Sequence, residues 1–337
     1  MKIALFTVPS SSESFGHEKL FLSEPLGLEY IAAGVENEHD VQIFELRQTD
    51  EYEKILIEKV ETKKPDIIGC GANTADVMMV TNLFKRIKSL NSKILTVVGG
   101  HHATIMPEDF FTEHVDVIVQ GNGVKAFRKV CNHHQVNKSF ETIENIYYKK
   151  NGEICYTHRE ELQSLDDIPF PARHLTSDFR YKYKQPVFFG TTPVALVMGS
   201  TGCPYKCKFC GIARVSNNKM ISRSIESIIK EISGLKEESI MWVDDEFLIK
   251  HKRALAIAEA IEKSGIKKNY WFYGRSSNIV KHPECIEVWS KIGLKFVMIG
   301  LESHREADLT EVGKATTKSL NEEAVKICHR YNVKVKG

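Results

Sequence analysis

The sequence has no long apolar run, almost no net charge and no second cluster of cysteines. Its apolar stretches fall well short of the ~20 residues a bilayer-spanning helix needs, so no membrane partner is expected. Lys and Arg number 46 against 44 Asp and Glu, a formal charge of +2. Nucleic acid is met with clustered basic charge, so no nucleic-acid partner is expected either, and a small-molecule substrate is the remaining class. The opening MKIALFTVPS holds one Lys and a short apolar run that suits a buried strand better than a secretory signal. The expectation is therefore a reducing, cytoplasmic location for the eight cysteines.

What the sequence does have is one dense stretch, TGCPYKCKFC at 201–210. It sets Cys203, Cys207 and Cys210 in CxxxCxxC spacing, with Phe209 just before the third. Cysteines this close are sterically ill-placed to pair with one another as disulfides. A structural zinc site would need a fourth ligand from a second CxxC or a HxxxH pair, and none lies nearby. A 4Fe-4S cluster accepts thiolates in short runs and tolerates three of them when a small molecule completes the fourth iron.

The 337 residues are enough for two domains. Over the first 135, short apolar runs (3–8, 41–46, 66–70, 93–98, 116–119) alternate with segments of helical spacing. This is the pattern of a doubly wound parallel sheet, which binds ligands beyond the carboxyl ends of its strands. Two glycine-bearing loops fall there, GCGANTADV and GGHHATIMPED, followed by DVIVQGNG. Residues 145–157 alternate around Asn151-Gly152, a hairpin signal. Pro169 and Pro171 then stiffen the segment LDDIPFPARHL. From Val194 a run of βα units begins, with polar strand-end loops: the cysteine stretch, Asp244-Asp245-Glu246-Phe247, Gly274-Arg275-Ser276-Ser277 and Gly300-Leu301-Glu302-Ser303. A fifth strand runs into Gly337. In a (β/α) barrel this is the face that builds the active site.

With those motifs in view, the chain resembles the cobalamin-dependent radical S-adenosylmethionine (radical SAM) enzymes. CxxxCxxC with an aromatic before the last Cys is similar to the superfamily's cluster motif. GGHHAT…PED resembles the GGPHAT string of the cobalamin domains, and DDIPFPAR resembles their interdomain segment. The resemblance implies a 4Fe-4S cluster on Cys203, Cys207 and Cys210, with SAM chelating the open iron and cleaved to a 5'-deoxyadenosyl radical. It implies SAM contacts at Phe209, Asp244, Asp245, Arg275, Ser277, Glu302 and Ser303. Cobalamin contacts are implied at Gly71, Asn73, Thr74, Gly99, Gly100, His101, His102 and Gly121. His101 and His102 meet the corrin's periphery or simply hydrogen-bond a loop carbonyl.

The chain departs from the family in several respects. Where many cobalamin domains carry DxHxxG, it offers Leu22, Glu24 and Gly27, with no histidine at the ligand position, so a "His-off" cobalt is expected. His17, in a polar loop, reads as solvated or capping. Asn122 and Val124 stand where the family's GEGE turn is acidic. Asp245 and Glu246 have a second reading as helix caps, and Arg275 has one as a structural partner of Glu302.

The expected fold is α/β: an N-terminal doubly wound Rossmann-like cobalamin-binding domain (1–135), a hairpin and Pro-containing interdomain linker (136–190), and a partial (β/α) radical SAM barrel (191–337). That barrel looks incomplete, because such cores usually have six strands. The implied reaction is reductive SAM cleavage serving cobalamin-dependent methyl transfer to an unactivated carbon, with an electron donor such as flavodoxin or ferredoxin. Two alternatives stand beside it: a radical cyclase or ring-rearranging enzyme of the Mg-protoporphyrin ester cyclase kind, and a non-catalytic cobalamin-binding or electron-transfer module.

Overall fold

The computed structural model describes residues 1–9, 22–184 and 192–337; His17 lies outside the described residues. The chain divides into two compact units, one of residues 1–162 with 167–182 and one of 163–166 with 183–337.

In the first unit, β1 (Lys2–Phe6), β2 (Asp40–Phe44), β3 (Ile67–Gly71), β4 (Leu95–Gly99) and β5 (Val117–Val119) pair in parallel in the order β2-β1-β3-β4-β5. The chain reverses direction across the sheet between β1 and β3, the switch point where such sheets bind ligands. Period-2 alternation explains why both faces are covered. Ile3, Leu5, Ile67, Val97 and Val117 enter one buried cluster, while Ala4, Phe6, Ile68, Val98 and Ile118 enter another. Helices Leu26–Ala33 and Gly123–Gln135 cover the first face, and Tyr52–Lys63 and Val77–Leu90 cover the second.

The hairpin formed around Asn151-Gly152 has positive φ at both residues, 53° and 86°, as a type I' turn requires. Its strands, β6 (Ile146–Lys150) and β7 (Glu153–Tyr156), extend the first sheet antiparallel from β5. Spacing along the sequence grouped this hairpin with the linker. Hydrogen bonding to β5 makes it the sheet's outer edge.

The second unit is wound one way. Strands β8 (Val194–Val197), β11 (Ser239–Trp242), β12 (Asn269–Gly274), β13 (Leu294–Ile299) and β14 (Lys334–Lys336) are all parallel and neighbour one another in chain order. A short ribbon of β9 (Ser200–Thr201) and β10 (Ile221–Ser222) closes the loop that carries the cysteines. One large apolar cluster joins Ile240, Trp242, Tyr270, Phe272 and Val297 to Ile228, Ile257, Ile286, Trp289 and Ile327 of the helices. Consecutive right-handed crossovers put their helices on one face of a sheet, and that single helix layer is the arrangement of a partial (β/α) barrel. Trp242, Trp271 and Trp289 are all buried, as packing residues.

Candidate functional site

Strand β8 ends at the cysteine stretch because β11 reaches over to hold it. Asp244 accepts the Gly199 N–H at 2.8 Å and the Ser200 hydroxyl. Asp245 accepts the Gly202 N–H at 2.6 Å. Gly202 has φ of 91°, a left-handed backbone open to glycine, and a Cβ there would fall 1.9 Å from the Lys219 carbonyl oxygen. Farther along, the Lys208 N–H donates to the Val312 carbonyl at 3.0 Å, tying the stretch to the segment beyond β13. The loop is thus fixed to the ends of two other elements. Burial pushes the Asp244 carboxyl up to about 7. Burial also raises the Cys203 thiol, with Asp245, Glu246 and Cys210 adding to the effect.

The three cysteines are partly exposed and unpaired. Among the described residues no three His, Cys, Asp or Glu side chains converge as ligands of a single ion. A cubane cluster places each thiolate on a different iron, so the triad suits that group where it would not suit a lone zinc ion.

Arg275, from the end of β12, stands against this loop. Its Nη1 donates to Cys207 Sγ at 3.4 Å, and its guanidinium lies 4.1 Å over the Tyr205 ring. Tyr205 donates to Asn278 Oδ1 at 3.2 Å, and Asn278 Nδ2 donates to Glu246 at 2.9 Å. Glu246 also accepts the Arg275 backbone N–H at 3.2 Å, and burial lifts its carboxyl to about 7. Phe209 is 55 % exposed, with the Lys314 ammonium 5.7 Å from its ring centroid. Lys314 also pairs with Glu302 at 2.6 Å, so Glu302 is held by this lysine and not by Arg275. Glu302 has φ of 59°, a strained backbone for a side-chain-bearing residue. Ser303 donates to Asp308 at 2.6 Å. Ser277 sits in the helix Ser276–Lys281, half-buried. Tyr205, Asn278 and Lys314 were not singled out by sequence; ordinary residue types in ordinary contexts leave no spacing signal.

In the first unit, Gly71, Asn73, Thr74, Gly99 and Gly100 gather at the ends of β3 and β4. Gly100 has φ of 98°, and a Cβ on it would lie 2.8 Å from the Ala72 N, so the two loops pack backbone to backbone. At Gly71 a Cβ would meet nothing within 4 Å among the described residues. Asn73 and Asp76 form a capping box. His102 is buried between Asp109 Oδ2, 2.7 Å from Nε2, and the Thr74 hydroxyl, 3.1 Å from Nδ1. A carboxylate only accepts, so Nε2 carries a proton toward Asp109. His101 is exposed instead. Gly121 has φ of 63°, and a Cβ on it would lie 3.5 Å from the Arg159 guanidinium. Glu24 accepts from Arg173 at 2.7 Å and Arg180 at 2.9 Å, so the position nearest the absent ligand motif is an ion-pair centre.

The cysteine triad follows the first strand of a parallel sheet wound in one direction, and the radical SAM superfamily model matches residues 197–337. The B12 binding domain model matches residues 20–131. The chain therefore belongs to the cobalamin-dependent radical SAM family.

Among curated proteins it is 28 % identical to an uncharacterized methyltransferase of Pyrococcus horikoshii, covering 100 % of this chain and 73 % of the relative. It is 27 % identical to the hopanoid C-3 methylase of Methylococcus capsulatus, covering 95 % of this chain and 61 % of the relative. To the anaerobic magnesium-protoporphyrin IX monomethyl ester cyclase of Rubrivivax gelatinosus it is 25 % identical, covering 86 % of this chain and 53 % of the relative. Among solved structures, the cobalamin-dependent radical enzyme OxsB with aqua-cobalamin and S-adenosylmethionine superposes with a TM-score of 0.81 at 19 % identity. That match covers 99 % of this chain and 48 % of OxsB, and the likeness is one of fold.

Proposed function

We propose that the chain cleaves SAM reductively at a 4Fe-4S cluster on Cys203, Cys207 and Cys210, in the service of cobalamin-dependent methyl transfer to an unactivated carbon of a small molecule. The observation that carries the reading is the anchoring of the cysteine stretch by Asp244, Asp245 and Arg275 at the carboxyl ends of β8, β11 and β12. When bound, the cluster would supply the electron that breaks the SAM sulfonium, and cobalamin would supply the methyl carrier.

The chain's own residues would position and bind. Asp244, with both oxygens engaged by Gly199 and Ser200, would set the loop and not touch SAM. Asp245, Glu302, Ser277 and Ser303 supply the acceptors and hydroxyls that an ammonium, a carboxylate and a ribose need, and Phe209 offers an exposed ring beside them. Gly71, uncrowded among the described residues, and the exposed His101 would face the corrin, while His102 braces the loop from within. Neither Leu22 nor the ion-paired Glu24 is a cobalt ligand, which fits a cobalt without protein histidine below it. A low-potential donor such as flavodoxin or ferredoxin, and a cytoplasmic location, belong to the same reading. No helix among the described residues is long and apolar enough to cross a membrane.

Anaerobic reconstitution should load about four irons per chain, and alanine at Cys203, Cys207 and Cys210 should abolish loading. A zinc-only product would overturn the reading. Formation of 5'-deoxyadenosine with dithionite separates an enzyme from a binding module. S-adenosylhomocysteine formed alongside it separates methyl transfer from cyclisation, the second reading that the cyclase relative favours.

A further inference from the structure

The guanidinium of Arg275 is buried, with only 7 % of the residue exposed, and no carboxylate pairs with it among the described residues. Glu246, the nearest acid along the chain of contacts, is engaged by the Arg275 backbone N–H and by Asn278. The arginine's Nε has no hydrogen-bond partner among the described residues, while Nη1 points to Cys207 Sγ and the planar face rests on Tyr205. Glu246 acts on the guanidinium only through space, and a buried cation with no direct ion pair costs several kcal/mol. Such a residue is kept where an anion arrives, and three thiolates gathered on a cluster bring a net negative charge to this loop.

Building on the proposed function, we propose that Arg275 sets the reduction potential of the cluster. Its guanidinium donates to the Cys207 thiolate and holds a positive charge there, stabilising the one-electron-reduced cluster over the oxidised one. Reduction adds one electron from a low-potential external donor, with no bond made or broken and no proton gained. The added negative charge spreads onto the ligating sulfurs. Hydrogen bonds and charge at those sulfurs move cluster potentials, and a cation fixed beside one of them raises the potential. Tyr205 and the Tyr205–Asn278–Glu246 chain hold the fork in place, so Arg275 acts as a positioning residue whose effect reaches SAM through the cluster.

The test is a redox titration of the reconstituted full chain without SAM, followed by the electron paramagnetic resonance signal of the reduced cluster, with dithionite or titanium(III) citrate as reductant. Arg275→Gln should retain the parent's iron content and lower the reduction equilibrium constant at least tenfold, a shift of about 59 mV to more negative potential for a one-electron couple. Arg275→Lys keeps the charge but not the planar fork and should fall between the two. If the Gln variant loses iron, the Lys variant decides: a negative shift at full iron supports the proposal and an unmoved midpoint overturns it. Weakened SAM binding with unmoved midpoints in both variants overturns it too, making Arg275 a SAM contact alone. A parent chain that assembles no cluster overturns the proposed function itself, whereas a loaded cluster with an unmoved midpoint overturns this inference only.

Discussion

Gly202 and Lys219 approach so closely that a methyl group on Gly202 would sit 1.9 Å from the Lys219 carbonyl oxygen. The residue also holds a φ of 91° that side-chain-bearing residues avoid. Gly202→Ala therefore has to displace the ribbon of β9 and β10 or the cysteine stretch itself. The left-handed penalty alone is about 1–2 kcal/mol, and the clash adds to it. The expected outcome is loss of most iron loading with the far-ultraviolet circular dichroism of the rest of the chain retained, measured by iron content per chain after anaerobic reconstitution.

Stability in the second unit should fall as pH rises through neutrality. Burial holds Asp244 and Glu246 near 7, above the ordinary carboxylate range, so the folded chain keeps two protons that the unfolded chain releases from about pH 4 upward. Their contribution is full below that range and is lost as pH passes about 7. Asp244→Asn mimics the protonated acid: its amide donates to the Ser200 oxygen and its carbonyl accepts from Gly199. Thermal melts should show the parent less stable at higher pH. The variant should lose roughly half of that dependence, since Glu246 retains its share.

The two neighbouring acids of the first unit should answer differently to the same change. Glu24 is the counter-charge of Arg173 and Arg180, and Glu24→Gln leaves both guanidinium groups under-compensated in the interior. The expected cost is about 3–5 kcal/mol. Burial and the adjacent Glu24 lift Glu29 to about 8, so at pH 7 it is largely neutral already. Glu29→Gln should cost under about 1 kcal/mol. Urea denaturation at pH 7 measures both.

His102 and His101 are adjacent in sequence and opposite in role. His102→Ala removes a buried ring and leaves Thr74 and Asp109 without their partner, an expected loss of about 2–4 kcal/mol by urea denaturation. His101→Ala, at an exposed position, should change stability by no more than about 0.5 kcal/mol. Its effect should appear instead in the titration of the protein with hydroxocobalamin, followed by visible absorption.

The sequence by itself determined both layers of this protein, because its information there is periodic or tightly spaced. Continuous apolar runs such as 3–8 and 66–70 suit strands buried on both faces, as in a doubly wound sheet. Asn151-Gly152 allows few turns besides the one formed, and CxxxCxxC places three thiolates in one loop whatever surrounds it. Tertiary structure alone decided who holds that loop. Asp244 and Gly199 are 45 positions apart, and Arg275 and Cys207 are 68 apart. Contacts at such separations follow from the pairing of β8 with β11 and β11 with β12, and leave no mark in the residues between. The same limit explains Glu302, which the second sequence reading paired with Arg275 and which the fold gives to Lys314. Which histidine of a pair is buried was likewise decided by helix geometry at the end of β4, where the turn His101–Ile105 points one ring into the loop and the other to solvent.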